Sequence, residues 1–174
     1  MKFFTSDTHF GHKNIIRLCD RPFQGIHEMD EELIARWNET VKEHDEVYHL
    51  GDFGYKCSVS HLKRIMERLN GRIHLIVGNH DRYTLRANEE LDRFTSVFHM
   101  LKLWGILDQP ITLCHWPMLS WDQSHRGAIQ LFGHHHGNKL DKIKKGFQMD
   151  VGVDPNNFRP ISLDQVIEKL NQEK

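Results

Sequence analysis

Seven short apolar runs in this 174-residue chain each stop at a polar cluster, and that pattern constrains the fold more than any other feature. The runs are "KFFTSD" (2–7), "EVYHLGD" (46–52), "IHLIVGNH" (73–80), "ITLCHW" (111–116), "AIQLFGHHH" (128–136), "FQMDVGVD" (147–154) and "RPISL" (159–163). Rich in β-branched and aromatic residues and bounded by polar breaks, all seven read as strands. Between several of them lie helical patterns. Met29, Leu33, Trp37 and Val41 line one face of 28–43, and Leu62, Ile65, Met66 and Leu69 do the same for 58–70. At the C-terminus Leu163, Val166, Ile167 and Leu170 follow helical spacing behind Ser162 and Gln165, a capping-box pair. The first half alternates strand and helix as βαβ units do, whereas the chain from about residue 97 onward is mostly strands. The expectation is a mixed α/β fold with two sheets or one large one, in a single domain over 1–174.

Composition narrows the partners. A chain of this length buries about 70% of its extended surface on folding, so no disulfide or structural metal is needed for a core. Net charge is −1, which gives no global pull toward nucleic acid or an anionic membrane. Cys19, Cys57 and Cys114 are odd in number and form no CxxC pair, as expected of reduced thiols. Asp7 arrives before a signal-peptide apolar core could form, and no apolar run approaches transmembrane length. These features predict a cytoplasmic protein with no membrane partner. The sequon Asn38-Glu39-Thr40 is discounted because it lies in a helical segment. What stands out is the count of 14 histidines, so their positions matter.

Several fall at predicted strand ends. Residues two apart on a strand share a face, which pairs Asp7 with His9 and His134 with His136 while His135 points away. Asp52 in "GDF", Asn79 and His80 in "GNHD", and His115 in "CHW" also sit at carboxyl ends of strands. In open α/β sheets that edge is where ligands bind. Carboxylates, an amide oxygen and imidazoles without thiolate suit Mn²⁺, Fe or Zn better than a Cys-type structural site. Asp7, His9, Asp52, Asn79, His115, His134 and His136 are more ligands than one ion needs. Two ions sharing a bridging carboxylate would use them all, and such a pair, about 3.5–4 Å apart, can hold a hydroxide as nucleophile for in-line displacement at phosphorus.

The ordered blocks "DTH" 7–9, "GDFG" 51–54, "GNHD" 78–81, His115 and "GHHH" 133–136 resemble the calcineurin-like metallophosphoesterase superfamily, in its small bacterial and phage form. The resemblance runs from 7 to 154 and implies a two-sheet β-sandwich flanked by helices, a four-layer αββα arrangement. It implies one ion on Asp7, His9 and His136, another on Asn79, His115 and His134, and Asp52 bridging both. Mn is the first expectation for the ions, with Fe, Zn, Ni or Co as alternatives. His80 would protonate the leaving oxygen, with Asp81 orienting its ring.

For the other histidines, His12, His49, His74, His99 and His135, a structural or surface role is the expectation. So is a hydrogen-bonding role for Asp150 and Asp154 in "MDVGVD". Substrate contacts are sought in two apparent insertions, 10–25 and 116–127. There Arg21 and Arg126 are candidates to grip phosphate oxygens, and Phe23, Trp116 and Trp121 to stack a base. Lys139, Lys142, Lys144 and Lys145 follow the histidines and suit a solvated hairpin or a nucleic-acid track. The leading expectation is a binuclear metal-dependent phosphodiesterase on nucleotide-like or other small phosphoesters. Its competitors are a nuclease on DNA or RNA ends, a phosphomonoesterase, and a non-catalytic binding module of the same fold, which the presence of His80 disfavours.

Overall fold

Phe3 and Phe4 are adjacent in sequence yet serve different hydrophobic cores, because successive side chains of a strand point to opposite faces. Both lie on β1 (Lys2–Thr5) of a computed structural model that describes residues 1–138 and 146–173. The helices are α1 (Lys13–Leu18), α2 (Ile26–Thr40), α3 (Val59–Arg68), α4 (Arg82–Leu91) and α5 (Leu163–Gln172). Phe3, with Val47, Ile73 and Leu75, packs against α1 to α4 through Ile15, Leu33, Trp37, Leu62, Met66 and Ala87. Phe4, with Tyr48, Leu50 and Ile76, packs against Ile111, Leu113 and Leu131, and Val166 and Leu170 of α5 close this second core.

The remaining strands are β2 (Glu46–His49), β3 (Arg72–Ile76), β4 (Phe94–Phe98), β5 (Met100–Leu103), β6 (Ile111–Cys114), β7 (Ile129–Phe132), β8 (Gln148–Asp150) and β9 (Ile161–Ser162). One sheet has the order β4-β3-β2-β1-β9, parallel except at β9; the other has the order β5-β6-β7-β8, parallel except at β5. The fold is therefore α/β, with two mixed sheets flanked by helices. The carboxyl ends of the two parallel sets meet where Ser6 pairs with Gly152 and Val153 N–H donates to the Ser6 carbonyl (3.0 Å).

All seven expected strands form, each shorter than its run: six lose the polar residues at their ends, and the last loses Arg159 and Pro160 at its start and Leu163 to α5. Four elements were not expected. α4 buries only Thr84 and Ala87, too little to give a readable apolar face, and α1 is 6 residues long. β4 is a half-exposed edge strand, and only His99 separates it from β5, so the chain crosses between sheets without a helix. Segment 10–25 is not a surface insertion, since it forms α1 and sends Phe10, Ile15 and Phe23 into the core. Of the lysine run, residues 139–145 lie outside the described residues. No helix among the described residues is long and apolar enough to cross a membrane.

The capping box is formed in full: Gln165 N–H donates to Ser162 Oγ (3.2 Å) and Ser162 N–H donates to Gln165 Oε1 (2.8 Å). Removing a cap oxygen leaves a helix donor unpaired and costs about 1 kcal/mol. Ser162→Ala is expected to lower the unfolding free energy by that amount, read as a lower urea midpoint at unchanged m-value; an unchanged midpoint would mean that the helix end is held by packing alone.

Candidate metal centre

The centre is built by loops that prolong the sheets. Beyond β1 and β2 the parallel pairing continues: Leu50 N–H donates to the Thr5 carbonyl (2.7 Å), Asp7 N–H to Gly51 (2.9 Å), His9 N–H to Asp52 (3.0 Å) and Phe10 N–H to Phe53 (2.9 Å). Within this frame Asp7 (φ 56°), His9 (φ 51°), Asp52 (φ 56°), His134 (φ 72°) and His136 (φ 52°) are all left-handed. The same-face rule for strands therefore does not explain why Asp7 meets His9 or why His134 and His136 both face the centre. Left-handed backbone does. For non-glycine residues it costs on the order of 1 kcal/mol each and concentrates at functional sites.

Two glycines show why the blocks begin as they do. A Cβ on Gly51 (φ 93°) would lie 2.5 Å from Gly78 N and 2.8 Å from His115 Nδ1. A Cβ on Gly133 would fall on Ser6 Oγ and Asp7 Oδ2, where the chain brings His134 N–H to donate to Asp7 Oδ2 at 2.8 Å. Close approach of these loops requires a residue without a side chain.

The predicted ligands gather in two groups. Asp7, His9 and His136 present ligand atoms within 4.8 Å of one another, and so do Asp52, His115 and His134. Asp52 turns Oδ2 toward His9 Nε2 (3.5 Å) and Oδ1 toward His115 Nε2 (3.7 Å), and so stands between the groups. Asn79 Oδ1 lies 3.1 Å from His115 Nε2. In the first group Asp7 Oδ1 and both ring nitrogens of His9 are buried without a hydrogen-bond partner. Buried polar atoms in native proteins are nearly always paired, so these orphans fit divalent cations.

The electrostatics agree. Burial pushes the Asp7 carboxyl up to about 8, with the neighbouring Asp150 and Asp52 carboxylates adding to the shift. Burial also raises Asp52 and holds His9, His115 and His134 below the usual imidazole range. Neutral imidazoles crowded against carboxyl oxygens are a cation's ligand set. His136 differs. Burial opposes its charge, but hydrogen bonds from its ring to Asp154 and Cys19, with the Asp7 carboxylate, raise it to about 10.

Asp154 is the functional residue the sequence left obscure. Its Oδ2 lies 2.8 Å from His136 Nδ1, which leaves Nε2 to face Asp7 Oδ1 at 4.0 Å. A carboxylate behind a ligating imidazole fixes its tautomer and orientation. The expectation of a hydrogen-bonding role was right in kind; which ligand it serves depends on the loop after β8. Asp150, by contrast, accepts from Gly137 N–H (2.9 Å) and Gly152 N–H (2.8 Å).

Two expected roles are corrected. Arg21 does not face a substrate: its guanidinium is buried, donating to Asp154 Oδ1 and Oδ2 (2.8 and 2.9 Å), to the Thr8 carbonyl (3.0 Å) and to the Asp7 carbonyl (2.7 Å). Asp81 does not orient the His80 ring. Its wholly buried carboxylate accepts from Asp52 N–H (2.8 Å), Phe53 N–H (2.9 Å) and Gly78 N–H (2.8 Å), tying two ligand loops together. The His80 ring instead packs on Tyr55, with ring centroids 4.1 Å apart, while the His80 backbone N–H donates to Asp52 Oδ1 (2.8 Å).

The other candidates are placed as follows. Arg126 is exposed on a 3-10 turn, Ser124–Arg126, and makes no bond to a ligand residue among the described residues. Phe23 packs in the core against Phe158 (5.0 Å), and Trp121 is buried with Nε1–H donating to the Ala128 carbonyl (2.9 Å). His49 is structural, paired with Thr8 Oγ1 at 3.0 Å, and His74 pairs with Ser96 Oγ at 2.7 Å. His12 lies closer to the centre than its sequence position suggests, with its ring 5.3 Å from His9 and 4.6 Å from Tyr55.

The sequence pattern of the calcineurin-like phosphoesterase superfamily domain matches residues 1–153. The chain belongs to that superfamily. Among relatives, it is 35% identical to "Uncharacterized protein MJ1445" of Methanocaldococcus jannaschii over 99% of this chain and 92% of that one. It is 28% identical to the "Gene 66 protein" of Mycobacterium phage D29, covering 97% and 95%. A solved structure, of the "Protein of Unknown Function AQ665 from Aquifex aeolicus", superposes with a TM-score of 0.75 at 26% identity, covering 97% and 98%. Membership of the calcineurin-like superfamily accords with hydrolase chemistry and with divalent metals held by these His and Asp groups.

Two variants test the support of the centre. Arg21→Met leaves two buried carbonyls unpaired and takes the cation from the Asp154 carboxylate, so unfolding stability should fall by roughly 3–5 kcal/mol; unchanged stability would mean that the ion pair does not hold these loops together. Asp154→Asn is expected to weaken Mn²⁺ binding about 10- to 100-fold by calorimetry.

Proposed function

We propose that the protein is a binuclear metal-dependent phosphodiesterase acting on small phosphodiesters, with Mn the best-suited metal. The observation that carries this reading is Asp52 standing between two ligand groups, the first of which buries Asp7 Oδ1 and both ring nitrogens of His9 without partners. Divalent cations held there would supply Lewis-acid polarisation of the phosphoryl group and an activated water. Asp7, His9 and His136 would hold one, Asn79, His115 and His134 the other, and Asp52 both.

The chain's own contribution is orientation and proton transfer. As water adds to phosphorus, the bond to the leaving alcohol breaks and His80 delivers a proton to the departing oxygen. Its ring is accessible at 34% side-chain exposure and lies 3.9 Å from Asp52 Oδ2, beside the centre rather than within it. The Tyr55 ring, itself backed by His12, holds that imidazole in place.

A diester is favoured over a monoester by charge. The described residues offer the cleft mainly histidines: Arg21 is committed to Asp154, Arg126 is exposed on its turn, and Lys56 stands at the rim, 5.1 Å over the Tyr55 ring. Beyond the charge that bound cations would supply, a monoanionic diester calls for fewer further cationic side chains than a dianionic monoester.

The test is hydrolysis of bis-p-nitrophenyl phosphate beside p-nitrophenyl phosphate with Mn²⁺ present. The expected result is preference for the diester, lost in Asp52→Asn. Preference for the monoester would make the protein a phosphatase, and inertness toward both with metal bound would favour a binding module. His80→Ala should slow alkyl esters, whose departing oxygen needs a proton, at least about tenfold more than nitrophenyl esters. Equal losses would reassign His80 to phosphate binding.

A further inference from the structure

Two buried amides hold up the loop after β6. Gln130 and Gln148 are register neighbours on β7 and β8 and have 0% and 2% exposure. Gln130 Nε2–H donates to the Trp116 carbonyl (2.9 Å), and its Oε1 accepts from Met118 N–H (3.1 Å) and from Gln148 Nε2–H (2.6 Å). Gln148 Nε2–H also donates to the Met118 carbonyl (2.8 Å). Burying amides is costly unless they are fully paired, and here the pairing is spent on the main chain at 116 and 118, with Pro117 fixing the backbone between them. The loop is thus a rigid shelf.

What the shelf presents is a tryptophan that the core does not use. Trp121, five residues on, is buried, whereas Trp116 is 41% exposed. Its ring stands edge-on to His115 at 5.0 Å and 6.4 Å from His134, against the second ligand group. His80 and Tyr55 lie by contrast beside His9 and Asp52 (His80 to His9, 5.7 Å). The Trp116 ring and the His80 ring thus contact different ligands of the centre, His115 and His134 for the indole, His9 and Asp52 for the imidazole. A bulky π face held at little entropic cost is a stacking surface for a nucleobase, which every base can use.

We infer that Trp116 is a specificity determinant that stacks the base of a nucleotide diester, and that this base belongs to the alcohol retained on phosphorus rather than to the one expelled. The assignment follows from which groups each ring touches. The leaving oxygen must face His80, whose ring lies beside Tyr55, His9 and Asp52, whereas the Trp116 ring lies against His115 and His134, so the alcohol that Trp116 holds is the retained one. This rests on the phosphodiesterase reading with His80 as donor.

The test compares thymidine 5′-(p-nitrophenyl phosphate) with methyl p-nitrophenyl phosphate, which expel the same nitrophenol and differ only in the retained alcohol. Wild type should prefer the thymidine ester in kcat/KM. Trp116→Ala should reduce that preference about 5- to 100-fold, mainly through KM, the range that stacking of one base spans. Trp116→Phe should keep most of the preference and Trp116→Leu little. No preference in wild type, a preference unchanged in Trp116→Ala, or retention by Leu equal to that by Phe would overturn the inference. If neither ester is cleaved, the phosphodiesterase reading itself fails, and calorimetry then decides this proposal separately. Thymidine 5′-monophosphate should bind more tightly than methyl phosphate in wild type, and the ratio of the two Kd values should collapse in Trp116→Ala; a ratio that does not change overturns it.

Discussion

The Arg21–Asp154 ion pair holds together the parts from which the centre is made. Arg21 lies after α1, Asp154 after β8, and the guanidinium also binds the carbonyls of Asp7 and Thr8 after β1. Asp154 in turn orients His136 after β7. One buried guanidinium thus ties three loops from two sheets, and the planar fork of arginine can satisfy a carboxylate and two carbonyls at once. A surface ion pair could not do this, because solvent would screen it and entropy would loosen it.

A second constraint is the tension between burial and charge. Asp7, Asp52, Asp81, Asp150 and Asp154 converge in a small volume at the sheet edge. Asp81 and Asp150 are neutralised in effect by backbone N–H groups, and Asp154 by Arg21 and His136. Burial pushes all four of Asp7, Asp52, Asp81 and Asp150 upward, but Asp7 and Asp52 each accept a single backbone N–H and turn their remaining oxygen toward the imidazoles. The fold thus concentrates unmet demand for positive charge at the two residues that face the imidazoles. The same place carries the left-handed backbone. Strain and uncompensated burial persist where a function repays them, and divalent cations would relieve the buried charge.

The substrate side is asymmetric. Tyr55 and His12 back the His80 imidazole, while the amide-supported shelf shows an indole to solvent. Both rings are fixed from behind by buried groups, so their places are set before a ligand arrives. Such preorganisation lowers the ordering cost of binding.

Much of this was legible in the sequence, and the parts that were not share one cause. Strand runs, the apolar faces of α2 and α3, the Ser162–Gln165 cap and the ordered set Asp7, His9, Asp52, Asn79, His115, His134 and His136 all rest on local spacing, which one chain segment displays by itself. The partners of Arg21 and Asp81 did not follow from spacing, nor did the ligand that Asp154 serves. Neither did the difference between buried Trp121 and exposed Trp116. Arg21 and Asp154 are 133 positions apart, and a polar side chain takes the nearest partner that packing leaves within reach. Local pattern determined which groups stand at the sheet edge. Only the tertiary structure decided which of them face one another, because burial and long-range pairing are properties of the assembled loops.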